Sequence, residues 1–281
     1  MGADSTLGRA LLLRLQELGL PCLGTTRRDG STPDRLPLDL AGIPADWRPP
    51  EGVAVAYLCA AVTSTNQCRS DPEGTRRTNV IGTLAVARTL REAGAHLVFL
   101  STNLVFDGSV PHQRAYSPTC PQTEYGRQKA EVEAKLLEQP GATVLRLTKV
   151  LTSHMGLVQG WLSELREGRS IQPLSDLPLA PVSLPQVVEA LSTLGLRRPE
   201  GIFQLSARDD FAYAEMAQLL AKGLGVEPGL VQPICSKDAG LDLEHVPRFT
   251  SLDTSRAEQE LGFAAPEAQA VVRSVFATPC R

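Results

Sequence analysis

The sequence predicts an α/β fold in which a doubly wound parallel sheet carries a smaller C-terminal lobe. In the first half of the chain, continuous apolar runs of strand length alternate with helical periods, a pattern typical of a parallel sheet covered on both faces. This alternation stops after about residue 150. We therefore expect residues 1–150 to form the sheet domain and residues 151–281 to form mainly the second lobe, with some segments returning to the sheet.

The elements follow in chain order from these patterns. A helix is predicted over GRALLLRLQELG, ending at Gly19, followed by a short strand in PCLGTT and a proline-rich loop over residues 31–50. Buried strands are predicted in VAVAYLCAA, HLVFLST and ATVLRLT, and helices in TNVIGTLAVARTLREAG and TEYGRQKAEVEAKLLEQ. In the second half, LSDLPLAPVSLP is predicted to be a loop leading into a helix capped by Ser183 or Leu184. GIFQLS is predicted to be a strand, and DDFAYAEMAQLLAKGLG and LDTSRAEQELGF to be helices.

Composition and charge exclude several classes of function. A net charge of -3 offers no basic face for nucleic acid. No apolar run approaches the roughly 18 residues of a membrane span, and the N-terminus lacks the order of a signal peptide. The six cysteines form no C-x-x-C pair and the four histidines do not cluster with them. We therefore expect free thiols, a cytoplasmic location and no bound metal.

A glycine turn stands directly before the first apolar helix. Gly2, Ser5 and Gly8 could cradle a pyrophosphate, because amides at a helix N-terminus attract anions and glycines allow close approach. The alternative is a helix-capping turn with Asp4 or Ser5 as the N-cap. A Rossmann-like domain has a strand before such a turn, whereas here only Met1 precedes it. We expect either a chain that is short by one strand, roughly five to eight residues, or a true gap in the sheet.

The strand after the first helix ends in TTRR. Dinucleotide folds that select NAD usually have an acidic residue there, whereas Arg27 and Arg28 suit a 2′-phosphate. The alternative is a pair of solvated surface arginines. Asp39 either caps a turn or contacts the adenine. These residues predict NADP(H) as the preferred cofactor, with NAD(H) as the alternative.

A tyrosine and a lysine lie four residues apart in EYGRQKAEVE. On a helix, Tyr125 and Lys129 project from one face, and a nearby ammonium lowers the pKa of a phenol toward the range useful for proton transfer. An exposed polar helix face is the alternative. Ser101 and Thr102 end a buried strand, where open parallel sheets place their sites. Either hydroxyl could share a carbonyl oxygen with Tyr125, or satisfy loop backbone instead.

Taken together, these stretches resemble the extended short-chain dehydrogenase/reductases, and within them the dTDP-4-dehydrorhamnose reductases. The similarity extends over nearly the whole chain, in GADSTLGRAL, CAAVTS, TNVIGT, FLSTNLVFDG, YGRQKAEVE, VLRLTKV, APVSLPQVVEAL, GIFQLSA and SLDTSRAEQELGF. It implies an NAD(P)-binding domain over residues 1–150 and a substrate lobe over residues 151–281. The implied reaction is hydride transfer from NADPH to the C4 ketone of a nucleotide-linked 4-keto-6-deoxysugar.

The resemblance also implies roles for individual residues. Tyr125 is implied as the proton donor, Thr102 as the hydrogen-bonding partner of the substrate carbonyl, and Lys129 as the residue that binds the nicotinamide ribose and lowers the pKa of Tyr125. With the residues named above, the expected cofactor-binding set is Gly2, Ser5, Thr6, Leu7, Gly8, Arg27, Arg28, Asp39, Leu40, Ala60, Ala61, Tyr125 and Lys129. The expected substrate-binding set is Ser101, Asn103, Val105 and Phe106.

Departures from the family pattern leave other functions open. Ser5 replaces the middle glycine, Asn103 and Ser183 stand where acids are usual, and HQRAYSPTCPQT lacks the acids common before the catalytic tyrosine. An NADP-binding regulatory subunit with little turnover is the second hypothesis, since the regulatory subunit of animal methionine adenosyltransferase is similar to this family. A sugar-nucleotide epimerase is the third. The expected partner is a nucleotide sugar, with a homodimer or a regulatory partner protein left open.

Overall fold

The computed structural model describes residues 1–28 and 34–276. The strands are β1 (Gly24–Thr26), β2 (Arg35–Pro37), β3 (Val55–Leu58), β4 (His96–Thr102), β5 (Ala142–Leu147), β6 (Val150–Leu151), β7 (Pro178–Leu179), β8 (Val182–Ser183), β9 (Gly201–Leu205) and β10 (Phe211–Ala212). The α-helices are α1 (Thr6–Glu17), α2 (Thr65–Ser70), α3 (Pro72–Arg76), α4 (Thr83–Glu92), α5 (Glu124–Leu137), α6 (Gly156–Arg166), α7 (Leu184–Arg197), α8 (Tyr213–Leu224), α9 (Ser255–Leu261) and α10 (Ala268–Phe276). A π-helical turn covers Arg77–Gly82, and 3-10 turns cover Asn103–Val105 and Pro228–Leu230.

A parallel sheet in the order β3-β4-β5-β9 forms the centre of the fold. Alternate residues of β4 enter two different cores, since successive side chains of a strand point to opposite faces. Leu97 and Phe99 pack with α4 and α5, whereas Val98 and Leu100 pack with α1 and α7. Helices therefore cover both faces, as the continuous apolar strands predict, and the α/β fold class is confirmed.

The sheet is interrupted between β1 and β3. β1 pairs only with β2, in a separate two-stranded sheet. Met1 to Ala3 lie at the C-terminal end of the gap: the Met1 amine donates to the Tyr57 carbonyl (2.6 Å), and the Ala3 amide donates to the Thr25 carbonyl (3.1 Å). Below them lies an apolar cavity of about 770 Å³, bounded by α1, β1 and β3. We call this space the strand slot.

The second lobe packs α6, α8 and α10 around an apolar cluster that includes Trp161, whose ring meets Tyr213 edge-on at 6.4 Å. The pairs β6-β8 and β7-β10 connect it to the sheet domain, and β9 returns to the central sheet. The helix predicted near Pro185 begins at Leu184, with Ser183 as its N-cap.

Five segments differ from the sequence prediction. The predicted loops contain β2, β7 and β8, which are only two or three residues long and are defined by pairing with distant strands. α6 and α10 were not predicted. The helix predicted from Thr78 is instead preceded by α2, α3 and a π-helical turn, because Ser64 and Asp71 cap two further helix starts.

Candidate active site

The glycine turn places the N-terminus of α1 at the sheet. Gly2 has φ +75°, and a Cβ there would lie 2.9 Å from the Ala60 backbone, so only glycine fits. A Cβ on Gly8 would lie 2.2 Å from the Gly2 carbonyl oxygen. The Ser5 hydroxyl accepts from the Gly8 amide (3.0 Å) and donates to the Gly2 carbonyl (2.8 Å), so Ser5 is the N-cap of the capping-turn alternative.

The Ser5 cap bonds the Gly8 amide, which leaves the two preceding amides of α1 available to an anion. Ser5, Thr6 and Leu7 line a cavity of about 720 Å³ between α1, the C-terminal ends of the central strands and the second lobe. The N-terminus of α1 therefore lies at the cavity wall, and a helix N-terminus attracts negative charge. The cavity brings together nine of the eighteen predicted site residues, namely Ser5, Thr6, Leu7, Ala61, Ser101, Thr102, Asn103, Tyr125 and Lys129.

Lys129 lies buried beneath the cavity. Its ammonium donates to the Leu100 carbonyl (2.7 Å) and lies 4.5 Å from the centre of the Phe99 ring. Burial lowers the pKa of Lys129 to about 8, an effect that nearby thiols and the Glu133 carboxylate oppose. The ammonium is thus charged at neutral pH but close to titration.

Tyr125 differs from the sequence expectation in its electrostatics. Its side chain is only 9% exposed and burial raises the pKa of its phenol above the ordinary value, whereas the sequence predicts that Lys129 lowers it. The Lys129 ammonium lies 5.8 Å from the Tyr125 ring centre and is directed to the Leu100 carbonyl. Desolvation therefore dominates, and Tyr125 holds its proton at neutral pH.

Ser101 and Thr102 reach the cavity at the end of β4 with different hydrogen bonding. The Thr102 hydroxyl accepts from the Leu104 amide (3.2 Å) and donates to the Asn103 side-chain oxygen (3.4 Å). The Ser101 hydroxyl is buried without a hydrogen-bond partner among the described residues. Ser101 shares its strand parity with Phe99, on the face where Lys129 lies, so its free hydroxyl faces the Tyr125–Lys129 helix.

An asparagine that sequence reasoning missed fixes the wall beside these groups. Asn79 accepts from the Val62 amide (2.7 Å) and donates to the Val62 carbonyl (2.9 Å) and to Gln128 (2.8 Å). It is buried in the π-helical turn, and Gln128 lies next to Lys129 on α5. The segment that follows β3, including Ala60 and Ala61, is thereby tied to α5, the helix of Tyr125 and Lys129.

Seven residues of the predicted cofactor set do not line this cavity. Three of them, Gly2, Gly8 and Ala60, form the close contacts of the glycine turn, and the other four are Arg27, Arg28, Asp39 and Leu40. Arg27 and Arg28 are exposed at the end of β1, and neither guanidinium has an ion-pair partner within the described ranges. The Asp39 side chain accepts from the Ala41 amide (3.0 Å) and so caps a turn, one of its two predicted alternatives. Leu40 is a correction: its side chain is buried in the core with Val80 and Val86, so it is not available to a ligand.

Val105 and Phe106 require a second correction. Both were predicted to contact substrate, but they are buried in a small cluster with Leu252, and the Arg146 guanidinium lies 4.8 Å from the Phe106 ring centre. The 3-10 turn after Thr102 rotates these side chains into the protein. Only Asn103 and Ser101 of the predicted substrate set line the cavity.

The far wall of the cavity carries charged residues that sequence reasoning missed. Lys149 follows the end of β5, whereas Glu244 and His245 come from the loop before α9. Glu244 accepts from the Glu124 amide (2.8 Å) and Arg127 (2.9 Å), and His245 bonds the Asp107 carbonyl (2.7 Å). Lys149 follows a predicted strand, and this position could have identified it as a site residue. No sequence pattern pointed to Glu244 or His245.

Residues 1–28 and 34–276 contain neither a membrane-spanning helix nor a metal-binding cluster. No helix there is long and apolar enough to span a bilayer. No group of three or more His, Cys, Asp or Glu side chains there has an arrangement that could hold a metal ion.

Comparison with known proteins agrees with this geometry. Residues 1–279 match the model of the RmlD substrate binding domain family. A dTDP-4-keto-6-deoxy-D-glucose reductase of Streptomyces niveus is 30% identical over 261 residues, covering 89% of this chain and 86% of its own. The methionine adenosyltransferase 2 subunit beta of Xenopus laevis is 26% identical over 274 residues, covering 92% and 80%. The fold superposes on a dTDP-4-dehydrorhamnose reductase from Bacillus anthracis in complex with NADP, with a TM-score of 0.81, 20% identity and coverage of 98% and 96%. The chain therefore belongs to the RmlD substrate binding domain family.

Proposed function

We propose that this chain is an NADP(H)-dependent reductase of a nucleotide-linked 4-keto-6-deoxysugar. One observation carries the proposal: Tyr125, Lys129, Ser101 and Thr102 line one cavity together with the residues at the N-terminus of α1. The Streptomyces niveus relative is named for reduction of such a sugar. A cytoplasmic location is part of the proposal.

The residues present fit a dinucleotide. Gly2 and Gly8 leave no room for side chains at the turn, the α1 amides suit a pyrophosphate, and the exposed cations Arg27 and Arg28 suit a 2′-phosphate. The buried Ser101 hydroxyl without a partner marks a position where a ligand group completes the hydrogen bonding. NADPH supplies the hydride in this chemistry.

Residues of the chain donate the proton to the substrate and stabilise the charge that the donation leaves behind. The Tyr125 phenol, held protonated by burial, is the proton donor to the carbonyl oxygen of the substrate as that oxygen gains negative charge. The Lys129 ammonium lies in the same dry region, where its charge stabilises the resulting phenolate more strongly than it would in water. The Thr102 hydroxyl, held by the Leu104 amide, positions the carbonyl.

Tyr125→Phe tests the proposal. The substitution keeps the ring and removes the proton donor, so turnover should fall roughly 10²- to 10⁴-fold while NADPH binding persists. Turnover is followed as loss of NADPH absorbance with dTDP-linked 4-keto-6-deoxysugars, and NADPH binding by fluorescence titration. Tyr116→Phe is the matched control, because Tyr116 is 71% exposed. Unchanged turnover in Tyr125→Phe would show that Tyr125 is not the proton donor.

A second candidate function has one observation in its favour. The Xenopus laevis relative, a methionine adenosyltransferase 2 subunit beta, favours an NADP-binding regulatory subunit with little turnover. Such a subunit would bind NADPH and a partner enzyme but show no NADPH consumption with any 4-keto sugar nucleotide.

A further inference from the structure

Within the described part of the chain, one cation that lines the cavity has no hydrogen-bond or ion-pair partner. Its charged side chains are those of Lys129, Lys149, Glu244 and His245. Lys129 donates to a carbonyl, Glu244 accepts from Arg127 and His245 bonds a carbonyl. The Lys149 ammonium has no hydrogen bond and no ion pair within residues 1–28 and 34–276, and no nearby carboxylate affects its pKa, which desolvation alone lowers. The Lys149 side chain is exposed to the cavity that it lines, so its ammonium can donate a charge-assisted hydrogen bond to a bound anion.

The backbone around Lys149 is held rigidly, which directs the side chain to the cavity. The Lys149 carbonyl accepts from the Val182 amide (2.9 Å), and the Thr148 amide donates to the Leu205 carbonyl (3.3 Å). The Thr148 hydroxyl also donates to the Ala180 carbonyl. Lys149 thus stands at the junction of the central sheet and the second lobe, so only its side chain is free to move.

The position of Lys149 separates it from the proposed cofactor anion site. The α1 amides lie at the end of the cavity near β3, whereas Lys149 follows β5, with β4 between these two strands. Residues of the second lobe, among them Pro178 and Tyr213, line the same cavity as Lys149. A ligand that reaches Lys149 therefore lies against the second lobe, where the substrate is expected.

We propose that Lys149 is a substrate-specificity residue whose ammonium binds an anionic group of the sugar nucleotide. This inference rests on the proposed function. The anion is either the diphosphate or a carboxylate on the sugar, since both are oxyanions that accept a charge-assisted hydrogen bond from an ammonium. The residue touches substrate without taking part in proton transfer, which the structure leaves to Tyr125.

The test measures binding to the NADPH-loaded protein by calorimetry, with dTDP, UDP-glucose and UDP-glucuronic acid as ligands. Lys149→Met removes the charge and Lys149→Arg keeps it, while Lys135→Met is the control because Lys135 is 57% exposed and paired only with Glu138. Loss of one charge-assisted contact should weaken binding roughly 10- to 100-fold in Lys149→Met and far less in Lys149→Arg. Lys149→Gln replaces Lys149→Met if the latter unfolds in a thermal melt.

The pattern across ligands identifies the anion. Weaker binding of all three ligands indicates the diphosphate, and weaker binding of UDP-glucuronic acid alone indicates a carboxylate. Binding of all three ligands that is unchanged in Lys149→Met overturns the assignment while the proposed function stands. If the unmutated protein binds NADPH but none of the three ligands, the proposed function fails and the Lys149 assignment fails with it.

Discussion

Filling the strand slot should stabilise the protein. The perturbation is a chain extended before Gly2 by an apolar hexamer rich in Val and Ile, long enough to lie between β1 and β3 along the cavity of about 770 Å³. The backbone geometry is prepared for it, because Met1 to Ala3 already bond to the Tyr57 and Thr25 carbonyls on the two sides. The extension also replaces the buried Met1 ammonium, whose pKa burial lowers, by a neutral amide.

The magnitude follows from opposing effects. Each buried Val or Ile side chain contributes about 2 kcal/mol, and ordering each residue costs about 1.5 kcal/mol. Hydrogen bonds to two strands add about 1 kcal/mol each, so a net gain of several kcal/mol is expected. For a chain of this size, 1 kcal/mol shifts the Tm by roughly 2–4 °C, so we expect the Tm to rise by at least about 10 °C.

The assay is thermal and urea unfolding of the extended protein beside a matched control. The control is a hexamer of Gly and Ser at the same position, which lengthens the chain equally but cannot bury apolar surface. Both extensions raising the Tm equally, or neither raising it, would refute the argument that the slot accepts a strand.

Three further predictions concern the site. The pKa of Lys129 is lowered to about 8 and the charged form is the active one, so kcat/KM should be constant below that pH and fall above it. Lys129→Met should abolish this decrease at high pH, whereas Lys135→Met should keep it. The same lowered pKa means that the unfolded chain binds the extra proton between pH about 8 and 10.5, so the unfolding free energy should rise with pH in that window, relative to Lys129→Met. Replacing Arg27 and Arg28 by Ala should weaken NADPH binding by roughly 1.5–3 kcal/mol and NADH binding little; equal weakening of both cofactors would make the arginines general surface charge.

The sequence predicted the central sheet well because its information is local. HLVFLST and ATVLRLT are continuous apolar runs, and the structure places β4 and β5 within one residue of those limits. The two-residue strands β6, β7 and β8 could not be predicted, because their existence depends on partners far away in the chain. The same holds for Glu244 and His245, which reach the cavity from a loop without any periodic pattern.

Electrostatics within the site were the least predictable property. The spacing of Tyr125 and Lys129 correctly placed both on one helix, but it said nothing about burial. Once both groups are buried, desolvation raises the pKa of Tyr125 and lowers that of Lys129, so both shifts favour the neutral forms. Spacing alone predicted the opposite direction for the tyrosine. Because these pKa shifts depend on burial, they can be predicted only from the tertiary structure.

Gly2 and the three residues that it contacts connect the strand slot to the proposed cofactor site. Gly2 packs against the Ala60 backbone, its amide donates to the Thr25 hydroxyl (3.2 Å), and its carbonyl accepts the Ser5 hydroxyl that caps α1. Any strand that anchors Met1 more firmly therefore also restrains the N-terminus of α1 at the cavity wall. The apolar extension should tighten NADPH binding as well as raise the Tm, whereas the Gly-Ser extension should do neither. A higher Tm with unchanged NADPH affinity would show that the turn is already held in its binding geometry without the strand, and that the slot contributes to stability alone.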